Sequence, residues 1–236
     1  MRDELLLYDL SDSPFCAKAR ICLQVKGLAY RRITLTVKNR KELQAANPLA
    51  KVPVLIDRGR PIADSSAIAR HLEAEHPEPA LLPADPAARA YASLLEDWAD
   101  ESLYFVVGAF KWLNPANRAT AMDRTASDLG GGVFRPVVGR LVARHIARSY
   151  GAWGYDGRSL KHFEERMRES LAWLAELVVG RTFLLGRTLT IADVAIYAQL
   201  AWMRHYVETR LLDEQPHVGE WLARLDEIPA VGDAFA

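Results

Sequence analysis

The sequence has only two cysteines, Cys16 and Cys22, in 236 residues. That is too few for a disulfide scaffold or, unaided, a zinc site. Six positions apart on one helix, they point to different faces, which argues against a bridge between them. No apolar run approaches the roughly 18 residues that span a bilayer. Met1-Arg2-Asp3-Glu4, followed by a short leucine run, lacks the cationic start and long apolar stretch of a secretory signal. Neither sign of charge is in excess: 30 basic residues face 30 acidic ones. This argues against a nucleic-acid binder that relies on overall positive charge. The six histidines show no metal-ligand spacing. Gly130-Gly131-Gly132 follows no strand and reads as a loop, not a phosphate cradle. Half of the chain is apolar and a quarter charged, the balance of a soluble globule with a substantial core. The expectation is a cytoplasmic protein that uses neither membrane, nucleic acid nor metal.

The hydrophobic pattern divides the chain. Leu5 to Tyr8 reads as a buried strand closed by the turn Ser11-Asp12-Ser13-Pro14. Pro14 to Lys26 follows as an amphipathic helix, with Ser13 as N-cap, Pro14 in the first turn and Gly27 as its stop. Lys18, Arg20, Gln24 and Lys26 form its polar side. Tyr30–Val37 and Val52–Ile56 suit strands, and Arg40–Ala46 a short helix. Asp57-Arg58-Gly59-Arg60 turns into a last strand at Pro61–Ala63, and a helix from about Ser66 to Glu75 closes a βαβαββα unit. Pro77, Pro79, Pro83 and Pro86 form a stiff linker. Beyond it only helical spacing appears, over 87–113, 134–149, 159–179, 190–211 and 215–225. The expected division is residues 1–77, a linker at 78–86, and an all-α domain from 87 to 236.

Ser13-Pro14-Phe15-Cys16 opens a helix at the carboxyl end of the first strand, where open α/β sheets place their ligands. Free N–H groups and the partial positive charge there favour a thiolate. Ser13 can donate to an external thiol, Cys16 can be the thiolate itself, or the two can be an ordinary cap and a packed core thiol. In Lys51-Val52-Pro53-Val54-Leu55 a proline stands at the start of a strand. A cis Val52–Pro53 bond would turn the Val52 backbone groups outward to pair with an extended peptide. Asp64-Ser65 opens a second helix whose N-terminus suits a carboxylate.

Taken together, these segments resemble the glutathione transferase family. Ser13-Pro14-Phe15 with Lys18, Arg20-Ile21 and Lys26-Gly27 is similar to the first helix of the tau and zeta classes. Lys51 to Leu55 is similar to the lysine, aliphatic and cis-proline segment, and Asp64-Ser65 to the acidic-serine pair. Phe183-Leu184-Leu185-Gly186 followed by Thr190 and Asp193 resembles the family's structural capping box. The resemblance implies an α/β thioredoxin-like N-terminal domain followed by an all-α bundle, assembled as a homodimer. It implies glutathione as co-substrate, with Ser13 donating to its thiolate and Phe15, Lys51, Val52, Pro53, Asp64 and Ser65 around it. It places a small, hydrophobic electrophile between the domains, for which Tyr104 and Phe105 are the candidate contacts among the aromatics of the first long helix.

Two features depart from that pattern. Omega-class members carry a reactive cysteine at the position of Ser13, and glutaredoxin-like proteins a nucleophilic cysteine there too. Here that position is Ser13, which argues against thiol–disulfide exchange: Cys16 reads first as a buried packing residue, and a glutathione-dependent thiol reductase using it is the alternative. Residues 114–157 match no common class of the family. They hold Arg140, Arg144 and Arg148 at spacing four, with Arg135 and His145 nearby, a cationic stripe that fits an anionic ligand, a protein partner or plain solvent. The 151–157 segment resembles faintly the metaxin and failed-axon-connection branch of the fold, whose members serve largely in binding. A non-catalytic interaction module is thus the other reading.

Overall fold

In a computed structural model, residues 4–36, 38–129, 132 and 135–232 are described. The expected strand end at Val37, the glycines Gly130 and Gly131, and the expected helix start at Phe134 lie outside them. A four-stranded sheet comes first, built from β1 (Leu5–Asp9), β2 (Tyr30–Thr34), β3 (Val54–Asp57) and β4 (Arg60–Ala63) in the order β2-β1-β3-β4. β1 and β2 run parallel with Leu7 beside Arg32. β3 is antiparallel to both β1 and β4, with Leu55 between Leu7 and Ile62. Helices α1 (Pro14–Val25), α2 (Arg40–Ala46) and α3 (Ser65–Glu75) complete this part. Leu7, Ile21, Leu23, Leu55, Ile68 and Leu72 are fully removed from water and join sheet to helices. At roughly 1.5–3 kcal/mol per buried side chain, such residues supply the main stabilising term.

The rest is helical: α4 (Pro86–Trp98), α5 (Tyr104–Leu113), α6 (Arg118–Asp128), α7 (Arg135–Ala152), α8 (Leu160–Val178), α9 (Ile191–Met203), α10 (Arg210–Asp213), α11 (Pro216–Asp226) and α12 (Pro229–Gly232). Among the described residues no helix is long and apolar enough to cross a membrane. Every residue of α9 is buried, and its composition, Val-Ala-Ile-Tyr-Ala-Gln-Leu-Ala after the cap, is apolar on all faces as a central helix must be. Thr190 and Asp193 form the expected capping box at its start, the Asp193 carboxylate accepting from the Thr190 N–H at 3.0 Å, the Thr190 hydroxyl at 2.9 Å and the Leu184 N–H at 2.8 Å.

Several expectations need correction. The single helix expected over 87–113 is interrupted by a π-helical turn at Ala99–Leu103. α6 lies in the stretch for which no element was expected. The helix expected over 190–211 stops at Met203, and the chain bends so that buried Glu208 accepts from the side-chain amides of Asn114 and Asn117, each at 2.6 Å. The polar side of α1 does not face water. Lys18, Arg20 and Lys26 are buried, and each is held by a carboxylate.

Candidate functional site

A cleft of about 1380 Å³ separates the sheet domain from α4 and the start of α5. One wall is made by the turn after β1, the segment leading into β3, the end of β4 and the starts of α1 and α3. It brings together Ser13, Phe15, Lys51, Val52, Pro53, Asp64 and Ser65; from the other wall Tyr104 faces it. Phe105 is not there. It packs against Tyr150 (ring centroids 4.8 Å apart), Tyr155 and Phe163 inside the bundle. Adjacent helical residues point about 100° apart, so only one of the pair can look into the cleft.

Ser13 is the N-cap of α1. Its Oγ accepts the Cys16 N–H at 3.3 Å, and its hydroxyl also lies within hydrogen-bond reach of the Cys16 sulfur. Ser13 lines the cleft, so a rotation of its hydroxyl away from Cys16 lets it donate to a bound group beside a helix N-terminus. Cys16 is fully buried, and its Sγ accepts the Leu10 N–H at 3.4 Å. Burial first, and then the negative charge of Asp9, push its thiol far above the ordinary range. A group so placed is held as the thiol.

The Val52–Pro53 bond is cis, and Pro53 and Val54 are buried beneath an exposed Lys51. Asp64 caps α3, its Oδ1 accepting from the Ser66 and Ala67 N–H groups at 3.0 Å each. The residue sits at φ +84°, a left-handed conformation that disfavours a side chain by about 1–3 kcal/mol and that the surrounding bonds must hold. Such outliers gather at ligand sites. Ser65 is buried, and its Oγ has no hydrogen-bond partner among the described residues.

Lys18, which the sequence places on the polar side of α1, lies instead at the centre of a buried ionic group beside Ser66. Lys18 reaches from α1 to Glu96 Oε1 (2.6 Å), Asp100 Oδ2 (2.5 Å) and Ser66 Oγ (2.9 Å), tying the two domains at the floor of the cleft. Burial opposes the Lys18 ammonium, but the Asp100 and Glu96 carboxylates outweigh it and hold its pKa above the ordinary value. Burial raises the pKa of Asp100 despite Lys18. Asp100 lines the cleft, and its Oδ1 is buried with no partner among the described residues. Lone buried polar atoms carry a desolvation penalty unless a ligand or water completes them. An unpartnered hydroxyl and an unpartnered carboxylate oxygen, beside the N-terminus of α3, suit a zwitterion: its carboxylate at the helix end, its ammonium at Asp100.

A thioredoxin-like sheet docked on a helical bundle, with a peptide-sized cleft between two helix N-termini, defines the two-domain thioredoxin-like class. Sequence comparison narrows this. Residues 7–80 match the family described as "Glutathione S-transferase, N-terminal domain", and residues 119–224 "Glutathione S-transferase, C-terminal domain". Glutathione S-transferase U7 of Arabidopsis thaliana is 24% identical over 230 residues, 94% of this chain and 83% of the relative. Glutathione S-transferase U22 of the same plant is 36% identical over 107 residues, 44% of this chain and about half (49%) of the relative. A glutathione transferase family member from Pseudomonas fluorescens, solved with two glutathione molecules bound, superimposes with a TM-score of 0.73 at 21% identity, covering 100% of this chain and 93% of that one. The chain belongs to the glutathione S-transferase family.

Proposed function

We propose that the protein is a glutathione transferase that uses Ser13 to stabilise the glutathione thiolate for attack on a small, hydrophobic electrophile. The observation that carries this reading is the Ser13 hydroxyl in the cleft at one helix N-terminus, facing Ser65 Oγ and Asp100 Oδ1, unpartnered among the described residues, at the other. The backbone of Val52 pairs with the cysteinyl backbone of the tripeptide beside Pro53, and Lys51 meets the glycyl carboxylate end. Asp64, Ser65 and Asp100 take the γ-glutamyl group. Phe15 packs beneath the thiol, 4.6 Å from Tyr104 between ring centroids. Leu10, Leu35 and Tyr104 offer the apolar wall for the electrophile.

Little covalent work falls to the protein. An unperturbed thiol of pKa about 8.5 is roughly 3% ionised at pH 7, and lowering that value by about two units, worth about 2.7 kcal/mol, makes most of it thiolate. One hydroxyl donor and a helix end are of the right size to supply this. The buried, un-ionised state of Cys16 speaks against the thiol reductase reading. Exposed Tyr91 and Leu94, one turn apart on α4, provide apolar area for a homodimer.

Calorimetric titration of glutathione, followed by thiolate absorbance of the complex across pH, tests the proposal. Binding with a lowered thiol pKa is expected, and Ser13→Ala should return that pKa towards the free value and depress turnover while Cys16→Ala keeps it. Absence of binding at millimolar glutathione would refute the transferase. It would favour instead the interaction module, to which exposed Arg140, Arg144 and Arg148, without an ion-pair partner among the described residues, lend their cationic face.

A further inference from the structure

The residue before Ser13 is anchored more heavily than any cap requires. Asp12 is almost completely buried at the domain junction. Its Oδ2 accepts from Lys111 Nζ at 2.6 Å, and its Oδ1 from Arg124 Nε at 2.7 Å and Trp202 Nε1 at 3.2 Å. Its own backbone N–H donates to Asp128 Oδ2 at 2.5 Å. These partners come from α5, α6 and α9, so one side chain of the β1–α1 turn is gripped by three helices of the other domain. Lys111 in turn lies 4.7 Å and 4.9 Å from the ring centroids of Trp112 and Trp202.

The grip closes on itself around Ser13. Trp202, which donates to Asp12, stacks on Tyr104 (centroids 5.8 Å apart, planes 10° apart), and Tyr104 packs on Phe15. The residue before Ser13 and the second residue after it are thus tied to the same tryptophan. From below, Arg20 donates to the Leu10 and Ser11 carbonyls at 3.3 Å each, and Arg32 to Ser11 Oγ at 3.0 Å. A simple N-cap needs none of this, since its geometry is local. A hydroxyl that must meet a thiolate does need it, because small misplacements of a reacting group cost orders of magnitude in rate.

We propose that Asp12 is a positioning residue: it fixes the Ser13 hydroxyl towards the glutathione sulfur by clamping the β1–α1 turn to α5, α6 and α9. The inference rests on the Ser13 reading above and goes beyond it by assigning a role to Asp12, Lys111, Arg124 and Trp202. Asp12 touches neither substrate directly; it acts through its neighbour.

The test uses the full chain carrying Asp12→Asn, beside Ser13→Ala and the double variant. It reads glutathione affinity by calorimetry, the pKa of the bound thiol by absorbance, and kcat and KM with a chromogenic aryl halide. Asp12→Asn is expected to bind glutathione within about threefold of the unchanged protein, because Lys51, Val52, Asp64 and Ser65 are untouched. The bound thiol pKa should rise by about one unit and kcat at about pH 7 fall about threefold, the loss of thiolate that a rise from roughly 6.5 to 7.5 entails. The double variant should be no worse than Ser13→Ala alone, as two residues acting through one hydroxyl require. A lowered melting temperature with thiol pKa and kcat unchanged would overturn the proposal and leave Asp12 as domain glue. If Asp12→Asn fails to fold, Arg124→Gln and Trp202→Phe, each removing one arm and keeping the Lys111 pair, should shift the thiol pKa in the same direction by less; no shift in either overturns the proposal. A Ser13→Ala variant with an unchanged thiol pKa would refute the serine mechanism itself, a result distinct from a silent Asp12→Asn beside a responsive Ser13→Ala.

Discussion

Replacing Lys18 by methionine keeps the length of a fully buried side chain and removes its charge. Glu96 and Asp100, which the ammonium holds at 2.6 and 2.5 Å, are left as two buried carboxylates one helical turn apart, with no cation between them. Breaking a buried pair by deleting one partner costs about 3–5 kcal/mol. That is a large part of the about 5–15 kcal/mol that holds a domain together. At about 2–4 °C per kcal/mol for a chain of this size, the melting temperature should fall by about 6–20 °C. The loss should also depend on pH. Burial already lifts the Asp100 carboxyl above its ordinary 3.8, with Lys18 opposing and Glu96 reinforcing the shift. Without Lys18 it rises further, so the folded state binds a proton more readily than the unfolded one. Stability lost at neutral and alkaline pH then returns as pH falls towards that raised pKa. Scanning calorimetry of both proteins at about pH 8 and about pH 5 should find the gap wide at the first and narrowed at the second. A fall under about 3 °C, or an equal fall at both, would refute the assignment of Lys18 as the charge that makes this junction viable.

Two shorter predictions follow from other buried groups. Both cysteines should resist alkylation in the native protein and react once it is denatured, since each is fully buried; burial pushes the Cys22 thiol up to about 12 and Cys16 further still. Mass spectrometry of labelled protein checks this, and native modification of Cys16 would revive the reductase. Asp193→Ala orphans three donors, the Leu184 and Thr190 N–H groups and the Thr190 hydroxyl. It should lower stability by about 3 kcal/mol or more in denaturant titration, whereas Asp193→Asn, which keeps an acceptor, should lose less.

Much of the N-terminal domain was legible because its signals are local. Apolar runs bounded by Ser13-Pro14, Gly27 and Asp57 to Arg60 mark strands, helix and hairpin without reference to anything distant. Ser13, Lys51 to Pro53 and Asp64-Ser65 were singled out for the same reason, as helix caps and a strand-initial proline, and the fold draws them to one cleft. Lys18, Arg20 and Lys26 were misplaced on the wet side of α1. Nothing near them in sequence announces burial, and the carboxylates that make it affordable for Lys18 lie 78 and 82 positions away. Asp12 was invisible in the same way, its partners lying 99, 112 and 190 positions on. The π turn at Ala99–Leu103 has no mark either, because Ala-Asp-Glu-Ser-Leu continues a helix as well as it widens one. It decides how α5 is phased relative to α4, and hence whether Tyr104 or Phe105 looks into the cleft.

The two ionic clusters at the junction make the halves of this chain a matched pair. Lys18 and Asp12 belong to the first half, but every charge that compensates them belongs to the second. A recombinant that joins these first 77 or so residues to a helical half without the equivalents of Glu96, Asp100, Lys111 and Arg124 would carry a buried ammonium and a buried carboxylate without their counterions. Exchange of halves between lineages therefore succeeds only if Glu96, Asp100, Lys111 and Arg124 travel along or are rebuilt in the recipient. Divergence is constrained in the same manner: a change on one side of the junction is tolerated when its counterpart changes with it.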